Sequence, residues 1–155
     1  MTSRKGGQMW NRLFGKKQGL DAGDHWAVAE GRDGEMPLIF RIREIPDTFD
    51  RGRFPHLISI QWSFEPVGQG MPDQETQAKM NEMEERLLKT LEGTGQAVLT
   101  VIVTGNGIRE FQWYAPSPDI MMAGLNKALA GLPPLPIEIS GEEDPNWEAY
   151  GNFRS

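Results

Sequence analysis

Cysteine is absent from the 155 residues, and histidine occurs only at His25 and His56. The absence of cysteine excludes disulfides, thiolate nucleophiles and thiolate metal sites, and it fits a reducing compartment. The two histidines have no neighbours at ligand spacing, whereas a zinc site needs about four compact N, S or O ligands. The sequence also contains no Gly-x-Ser-x-Gly motif and no glycine-rich phosphate loop. We therefore predict no catalytic residues, no metal and no cofactor.

Long apolar runs are also missing. No stretch of about 18 apolar residues could span a membrane. The basic N-terminus lacks the apolar segment of about 7–15 residues that a secretory signal contains. We therefore expect a cytoplasmic protein, and 155 residues are enough to bury one substantial core.

Charge is distributed unevenly along the chain. Residues 1–20 contain five basic residues and no acidic one, so they carry +5. The remaining residues must therefore carry −11 to give the net charge of −6. We predict a flexible basic tail over residues 1–23 and a single domain over residues 24–155. A short apolar stripe in this tail favours either a weak membrane-surface or partner-docking helix, or a tail folded onto the acidic body; it comprises Met9, Trp10, Leu13 and Phe14. The acidic body would repel phosphate backbones, so we expect it to bind no nucleic acid.

Hydrophobic periodicity predicts the secondary structure. Strand patterns occur over 25–31, 37–45, 56–65, 97–104, 108–115 and 136–140; the segment 97–104 is a β-branched, nearly all-apolar run typical of a central strand. The strand over 56–65 is the clearest, with Ile58, Ile60 and Trp62 on one face. A helix over 72–92 begins at Pro72 and carries an apolar stripe, and Ser117-Pro118 begins a second helix. Gly105-Asn106-Gly107 marks a tight hairpin turn between the strands over 97–104 and 108–115, because Asn-Gly tolerates positive φ.

The order of these elements predicts the fold class. From His56 onward the order is strand, helix, strand, strand, helix, strand, which is the ferredoxin-like βαββαβ order. We predict an α+β fold in which this core follows an N-terminal β-hairpin. Both helices would cover one face of the antiparallel sheet, and water would cover the other. From Gly141 onward we predict an acidic tail held by Trp147 and Tyr150, with a calcium site or a docking tail as alternatives.

A polar sheet face is the main candidate binding site. If the strands pair as predicted, Arg41 and Arg43 lie on one face with Gln61, and Glu110 and Tyr114 could join them. Arginines held on a sheet recognise an acidic partner or a small anion, but the ordinary wet side of an antiparallel sheet is the more common explanation for such a face. The complete candidate set is Arg41, Arg43, Gln61, Arg109, Glu110, Tyr114, Asp144, Trp147 and Glu148.

Several segments together resemble a known family. They are Arg53-Phe54-Pro55 leading into Ile60-Gln61-Trp62, Gly70-Met71-Pro72, Thr104 to Phe111 followed by Trp113-Tyr114, and Glu143 to Tyr150. On these segments the chain resembles DUF695, a bacterial family without an established activity. Similar domains occur fused to a domain like the regulator of ribonuclease activity B, a small protein inhibitor of an endoribonuclease. The resemblance implies no particular functional residues, but it favours a regulatory, protein-binding role.

Two classes of function follow from these patterns. The first is a non-catalytic module that binds another protein, for example an immunity protein that caps a basic nuclease toxin. The alternative is an enzyme acting on a small anionic substrate through Arg109, Glu110 and Tyr114, with Asp144 and Glu148 as further candidates. Neither the partner nor the oligomeric state follows from the sequence.

Overall fold

The fold is built on one antiparallel sheet, as a computed structural model of residues 22–154 shows. Its six strands lie in the order β1-β2-β4-β5-β3-β6, and three helices accompany them. This confirms an α+β fold with a single antiparallel sheet. The strands are β1 Trp26–Asp33, β2 Met36–Arg43, β3 His56–Ser63, β4 Val98–Gly105, β5 Ile108–Ala115 and β6 Ile137–Glu143. The helices are α1 Gln74–Leu87, α2 Pro118–Ala128 and α3 Glu148–Arg154.

Two tight hairpins connect neighbouring strands. The β1–β2 hairpin turns at Gly34, whose φ of 65° lies in the left-handed region. The β4–β5 hairpin turns at Asn106 and Gly107, with φ values of 54° and 83°. Positive φ at both central residues is what such a two-residue turn requires, and Asn-Gly adopts it readily. The hairpins predicted at both positions are therefore confirmed.

The principal core lies between one sheet face and the helices α1 and α2. Ile60 and Trp113 of the sheet are buried in it together with Met80 and Met83 of α1. Each large apolar side chain buried in this way contributes about 1.5–3 kcal/mol. Asp73 caps the start of α1, since its carboxylate accepts a hydrogen bond of 2.8 Å from the Thr76 amide. At its far end α1 continues into a π-helical turn, Leu88–Glu92.

The opposite sheet face also contains a core, which corrects the prediction that water covers this face. Leu57, Val101 and Tyr114 are buried there beneath Trp147 and Tyr150. The prediction of an acidic tail from Gly141 onward is likewise wrong, although Trp147 and Tyr150 hold this segment as expected. The strand β6 continues through Glu143, and α3 then packs over the second core. The C-terminal segment is therefore part of the domain.

The two ends of the described segment bear on two further predictions. The stripe predicted within the basic tail lies outside the described residues. Ala22 is fully buried, and the Gly23 carbonyl accepts a hydrogen bond of 3.0 Å from Arg43, so packing begins within the predicted tail. Over residues 22–154, none of the helices has the length and apolarity needed to cross a membrane.

Candidate functional site

The C-terminal segment is anchored by a buried carboxylate. Asp144 accepts hydrogen bonds from the Glu148 amide at 2.8 Å, the Ala149 amide at 3.0 Å and the Tyr114 hydroxyl at 2.7 Å. The first two bonds cap the start of α3, because the first amides of a helix have no partner within it. The third bond ties α3 to strand β5. Asp144 and Tyr114, both predicted as binding residues, therefore fasten the helix to the sheet.

Trp147 continues this anchor. Its ring stacks on Tyr114 with centroids 4.2 Å apart, and its indole N–H donates to the Phe54 carbonyl at 2.9 Å. Its φ of 55° is unusual for a bulky residue and costs about 1–3 kcal/mol, which these contacts offset. Trp147 is 1% exposed, so it offers no surface to a partner. Of the predicted C-terminal residues, only Glu148 is exposed.

The pKa values of the anchoring pair agree with this geometry. Burial raises the pKa of Tyr114 well above its usual 10.0, and the bond to Asp144 raises it further. Burial also raises the pKa of Asp144, but its hydrogen bonds from Tyr114, Ala149 and Glu148 outweigh that effect and hold it below 3.8. Tyr114 therefore stays protonated and Asp144 ionised at neutral pH.

The predicted polar face divides between the two sides of the sheet. Arg41 lies opposite Ile102 of β4, which belongs to the core beneath the helices. Glu110 lies opposite Gln61 of β3 and Val103 of β4, and Val103 packs on the second core. Directly opposed residues of paired strands share a face. The prediction that the arginines share a face with Gln61 and Glu110 is therefore wrong.

Two arginines of β2 form ion pairs beneath the helices. Arg41 makes a bidentate pair with Glu84 of α1, with N–O distances of 3.1 and 3.2 Å. Arg43 pairs with Glu92 of the π-helical turn and also donates to the Leu99 carbonyl at 3.0 Å. Arg43 is 7% exposed, and its bonds join β2, β4 and the turn. Its role in this arrangement is structural.

Arg109 differs from these two arginines. It is 9% exposed, and its Nε donates to the Thr104 hydroxyl at 2.7 Å. No carboxylate of residues 22–154 lies within ion-pairing distance of it. Burial lowers the pKa of Arg109, the charge of Glu84 raises it in part, and Arg41 lowers it again.

Arg109 lies in a cleft of about 310 Å³ between the sheet and the start of α1. We call this the arginine cleft. Its lining residues are Ile39, Arg41, Met71, Pro72, Gln77, Thr104 and Arg109. The cleft therefore combines two guanidinium groups, one amide and one hydroxyl with an apolar wall.

The other sheet face has a polar half beyond the cover of α3. Glu110 accepts hydrogen bonds there from Ser59 at 3.1 Å, Gln61 at 3.2 Å and Gln112 at 2.9 Å. Facing positions on β6 add further acidic side chains. We call this region the glutamate surface; it comprises Ser59, Gln61, Ser63, Glu110, Gln112, Glu138, Ser140 and Glu142. None of these positions carries a basic residue.

The set considered for catalysis does not converge. Arg109 faces the arginine cleft, Glu110 lies on the glutamate surface, and Tyr114 is buried under Trp147. Adjacent residues of a strand point to opposite faces, which separates Arg109 from Glu110. Within residues 22–154, no group of three or more carboxylate and histidine side chains is arranged to hold a metal ion.

The comparisons with known proteins identify the family. A family model described as Family of unknown function (DUF695) matches residues 24–154. The chain belongs to the DUF695 family. A comparison with curated proteins found no match, and a comparison with solved structures found none either.

Two segments of the DUF695 resemblance have different roles in this fold. The segment from Thr104 to Phe111 forms the β4–β5 hairpin and supplies Thr104 and Arg109 to the arginine cleft. The segment from Asp144 to Tyr150 forms the anchor of α3. The Tyr150 hydroxyl extends this anchor by donating to the Arg43 carbonyl at 2.6 Å. One DUF695 segment therefore contributes to a cleft, and the other stabilises the domain.

Sequence reasoning missed the acidic partners of the arginines. Glu84 and Glu92 lie on the inward side of α1 and its π-helical turn, among Met80, Leu87 and Leu91. A charged residue within an apolar stripe was the available signal. A buried carboxylate requires a partner, and the two arginines of β2 were candidates for that partner.

Proposed function

We propose that this DUF695 chain is a cytoplasmic, non-catalytic regulatory module that binds another protein through the glutamate surface. The observation that carries the proposal is the composition of this surface. It presents three carboxylates, at Glu110, Glu138 and Glu142, and no basic side chain. A surface of one charge sign favours a partner of the opposite sign, so the partner we propose has a basic binding surface.

The edge of the sheet beside this surface supports the proposal. The strand β6 is the last in the sheet and pairs only with β3 within residues 22–154. An edge strand offers unpaired backbone N–H and C=O groups to an extended segment of another chain. Glutamates along β6 would attract a basic segment and repel a second copy of the same acidic strand.

Long-range charge acts in the same direction. Outside residues 1–20 the chain carries −11, and this excess would accelerate association with a basic protein at low salt. An immunity protein that covers a basic nuclease toxin is one concrete form of this function. A regulator of a ribonuclease, which the family resemblance favours, is another form with the same charge requirement.

The alternative function remains an enzyme acting on a small anion. Of its predicted residues Arg109 lies in the arginine cleft, whereas Glu110 and Tyr114 face the other side of the sheet and would not act with it. We also assign the segment from β3 to β6 a ferredoxin-like plan. The strand order β4-β5-β3-β6 supports this assignment. The β4–β5 hairpin lies on one side of β3 and β6 lies on the other, with α1 joining β3 to β4 and α2 joining β5 to β6.

A charge-reversal experiment tests the protein-binding proposal. The chain would be immobilised and used to capture partners from the lysate of its native host at low ionic strength. A double variant, Glu138→Lys with Glu142→Lys, replaces two exposed carboxylates of the glutamate surface. We expect a stoichiometric basic partner to bind the native chain, to be lost with the variant, and to dissociate as salt is raised.

The control has the same net charge change elsewhere. Glu30→Lys with Glu85→Lys reverses two exposed carboxylates, on β1 and α1. This control should retain the partner. Recovery of no stoichiometric partner, or equal recovery by both double variants, would contradict the proposal.

A further inference from the structure

Arg109 has an incomplete set of hydrogen bonds for a buried arginine. A guanidinium carries five N–H donors, and buried polar groups are normally satisfied by partners. Arg109 is 9% exposed, yet the hydrogen bond from its Nε to Thr104 is its single one among residues 22–154. Its terminal nitrogens, at the wall of the arginine cleft, therefore have no acceptor among residues 22–154 and remain accessible to solvent.

The charges around the cleft leave one positive charge in excess. Glu84 is bound in bidentate fashion by Arg41, which neutralises that pair. Glu92 forms an ion pair with Arg43. Of the three arginines, Arg109 is then the one without a carboxylate partner among residues 22–154. A ligand with a single negative charge would neutralise it.

The walls of the cleft define the rest of the ligand. Ile39, Met71 and Pro72 form an apolar side, and Gln77 lies on the exposed side. The Thr104 hydroxyl accepts from Arg109 and retains its own proton for donation. A volume of about 310 Å³ is at the lower end for a ligand pocket. These features fit a small molecule with one charged end and a short apolar body.

We propose that the arginine cleft binds a small organic monocarboxylate, whose carboxylate is held by Arg109 and Thr104 and whose apolar body contacts Ile39 and Met71. A guanidinium and a carboxylate match in geometry and can form two parallel hydrogen bonds. A phosphate dianion fits less well, because Glu84 would repel its second charge and the apolar wall would give it no partner. This site lies on the sheet face opposite the glutamate surface, so it is independent of the proposed protein-binding function.

The test uses butyrate as the probe and observes the protein by ¹⁵N NMR at neutral pH and constant ionic strength. We expect saturable shifts of the Arg109 Nε–Hε signal and of the Thr104 amide. Butyramide, the uncharged analogue, should produce no such shifts, and inorganic phosphate should bind more weakly than butyrate. Absence of saturable butyrate binding, equal shifts with butyramide, or tighter binding of phosphate would each overturn the proposal.

Two variants change the affinity in opposite directions. Arg109→Gln removes the charged donor and should weaken butyrate binding at least about tenfold. Arg32→Gln removes an exposed arginine of β1 outside the cleft and should leave the affinity unchanged. Glu84→Gln removes the competing carboxylate and should raise the affinity.

The Glu84 variant keeps the proposal testable if Arg109→Gln does not fold. A purely structural Arg109 would lower the thermal midpoint when replaced, without any saturable butyrate signal in the native chain. Unchanged butyrate affinity in folded Arg109→Gln, or unchanged or weaker affinity in Glu84→Gln, would overturn the assignment.

Discussion

Replacing Asp144 by alanine tests the anchor of α3 most directly. The change removes three hydrogen bonds at once, from the Tyr114 hydroxyl and from the Glu148 and Ala149 amides. Loss of the helix cap costs about 0.5–2 kcal/mol. Loss of the charged acceptor for the buried Tyr114 hydroxyl costs about 1.5–3 kcal/mol. We therefore expect Asp144→Ala to lower the free energy of unfolding by about 2–5 kcal/mol.

Urea unfolding followed by tryptophan fluorescence measures this loss. The denaturant slope of such a domain is about 1–3 kcal/mol per M, so at a slope of about 2 kcal/mol per M the midpoint should fall by about 1–2.5 M. Asp144→Asn is the matched control, because asparagine also caps helices well. It should lose less stability than the alanine variant. A loss below about 0.5 kcal/mol for alanine, or equal losses for both variants, would refute this account of the anchor.

The same residue predicts a dependence on pH. The pKa of Asp144 lies below its usual 3.8 in the folded state. A carboxyl with a depressed pKa binds its proton more readily when the chain is unfolded, so it stabilises the folded state above pH ~4. That contribution disappears as the pH falls through the folded pKa. The difference in unfolding free energy between the native chain and Asp144→Asn should therefore shrink below pH ~4, and a constant difference would contradict the pKa direction.

Three further predictions concern stability and are measured by urea unfolding. Arg43→Met should cost about 3–5 kcal/mol because it leaves Glu92 buried without its cation; adding Glu92→Gln should recover part of the loss, and no recovery would argue against the pair. Met83→Ala should cost about 2–5 kcal/mol, whereas Met122→Ala, at a position 36% exposed, should change stability by under about 0.5 kcal/mol; equal effects would contradict the core assignment. Gly70→Ala should destabilise by about 1–3 kcal/mol, since Gly70 has a φ of 82° and an added Cβ would lie 2.6 Å from the Asn106 amide nitrogen; a neutral result would contradict this close approach.

Local sequence patterns were sufficient for most elements of the fold. The alternation of Ile58, Ile60 and Trp62 identified a strand and its buried face, because side chains in a strand alternate between faces. Pro72 and Ser117-Pro118 indicated the starts of two helices, and the structure places the two capping side chains at Asp73 and Ser117. Asn106 identified a hairpin because few residues accept its backbone conformation. Each of these signals depends on residues close together in the chain.

Local patterns were not sufficient for the candidate sites. Alternation showed that Arg41 and Gln61 each occupy a defined face of their own strand, but not that the two faces are opposite. The strands β2 and β3 are separated in the sheet by β4 and β5, so their relative facing depends on three registers. The β4–β5 register is set by its hairpin turn, whereas the registers of β2–β4 and β3–β5 depend on packing between segments distant in the chain.

The C-terminal segment shows the same division. The sequence by itself determined that Trp147 and Tyr150 hold the acidic segment, because large aromatic side chains favour burial. Only the tertiary structure decided that this segment forms a strand and a helix, since the acceptor that caps α3 is tied to Tyr114, 30 residues earlier in the chain. Arg109 likewise faces a cleft because α1 begins beside its strand. Contacts between distant segments determine such sites, whereas the spacing of nearby residues determines the elements that carry them.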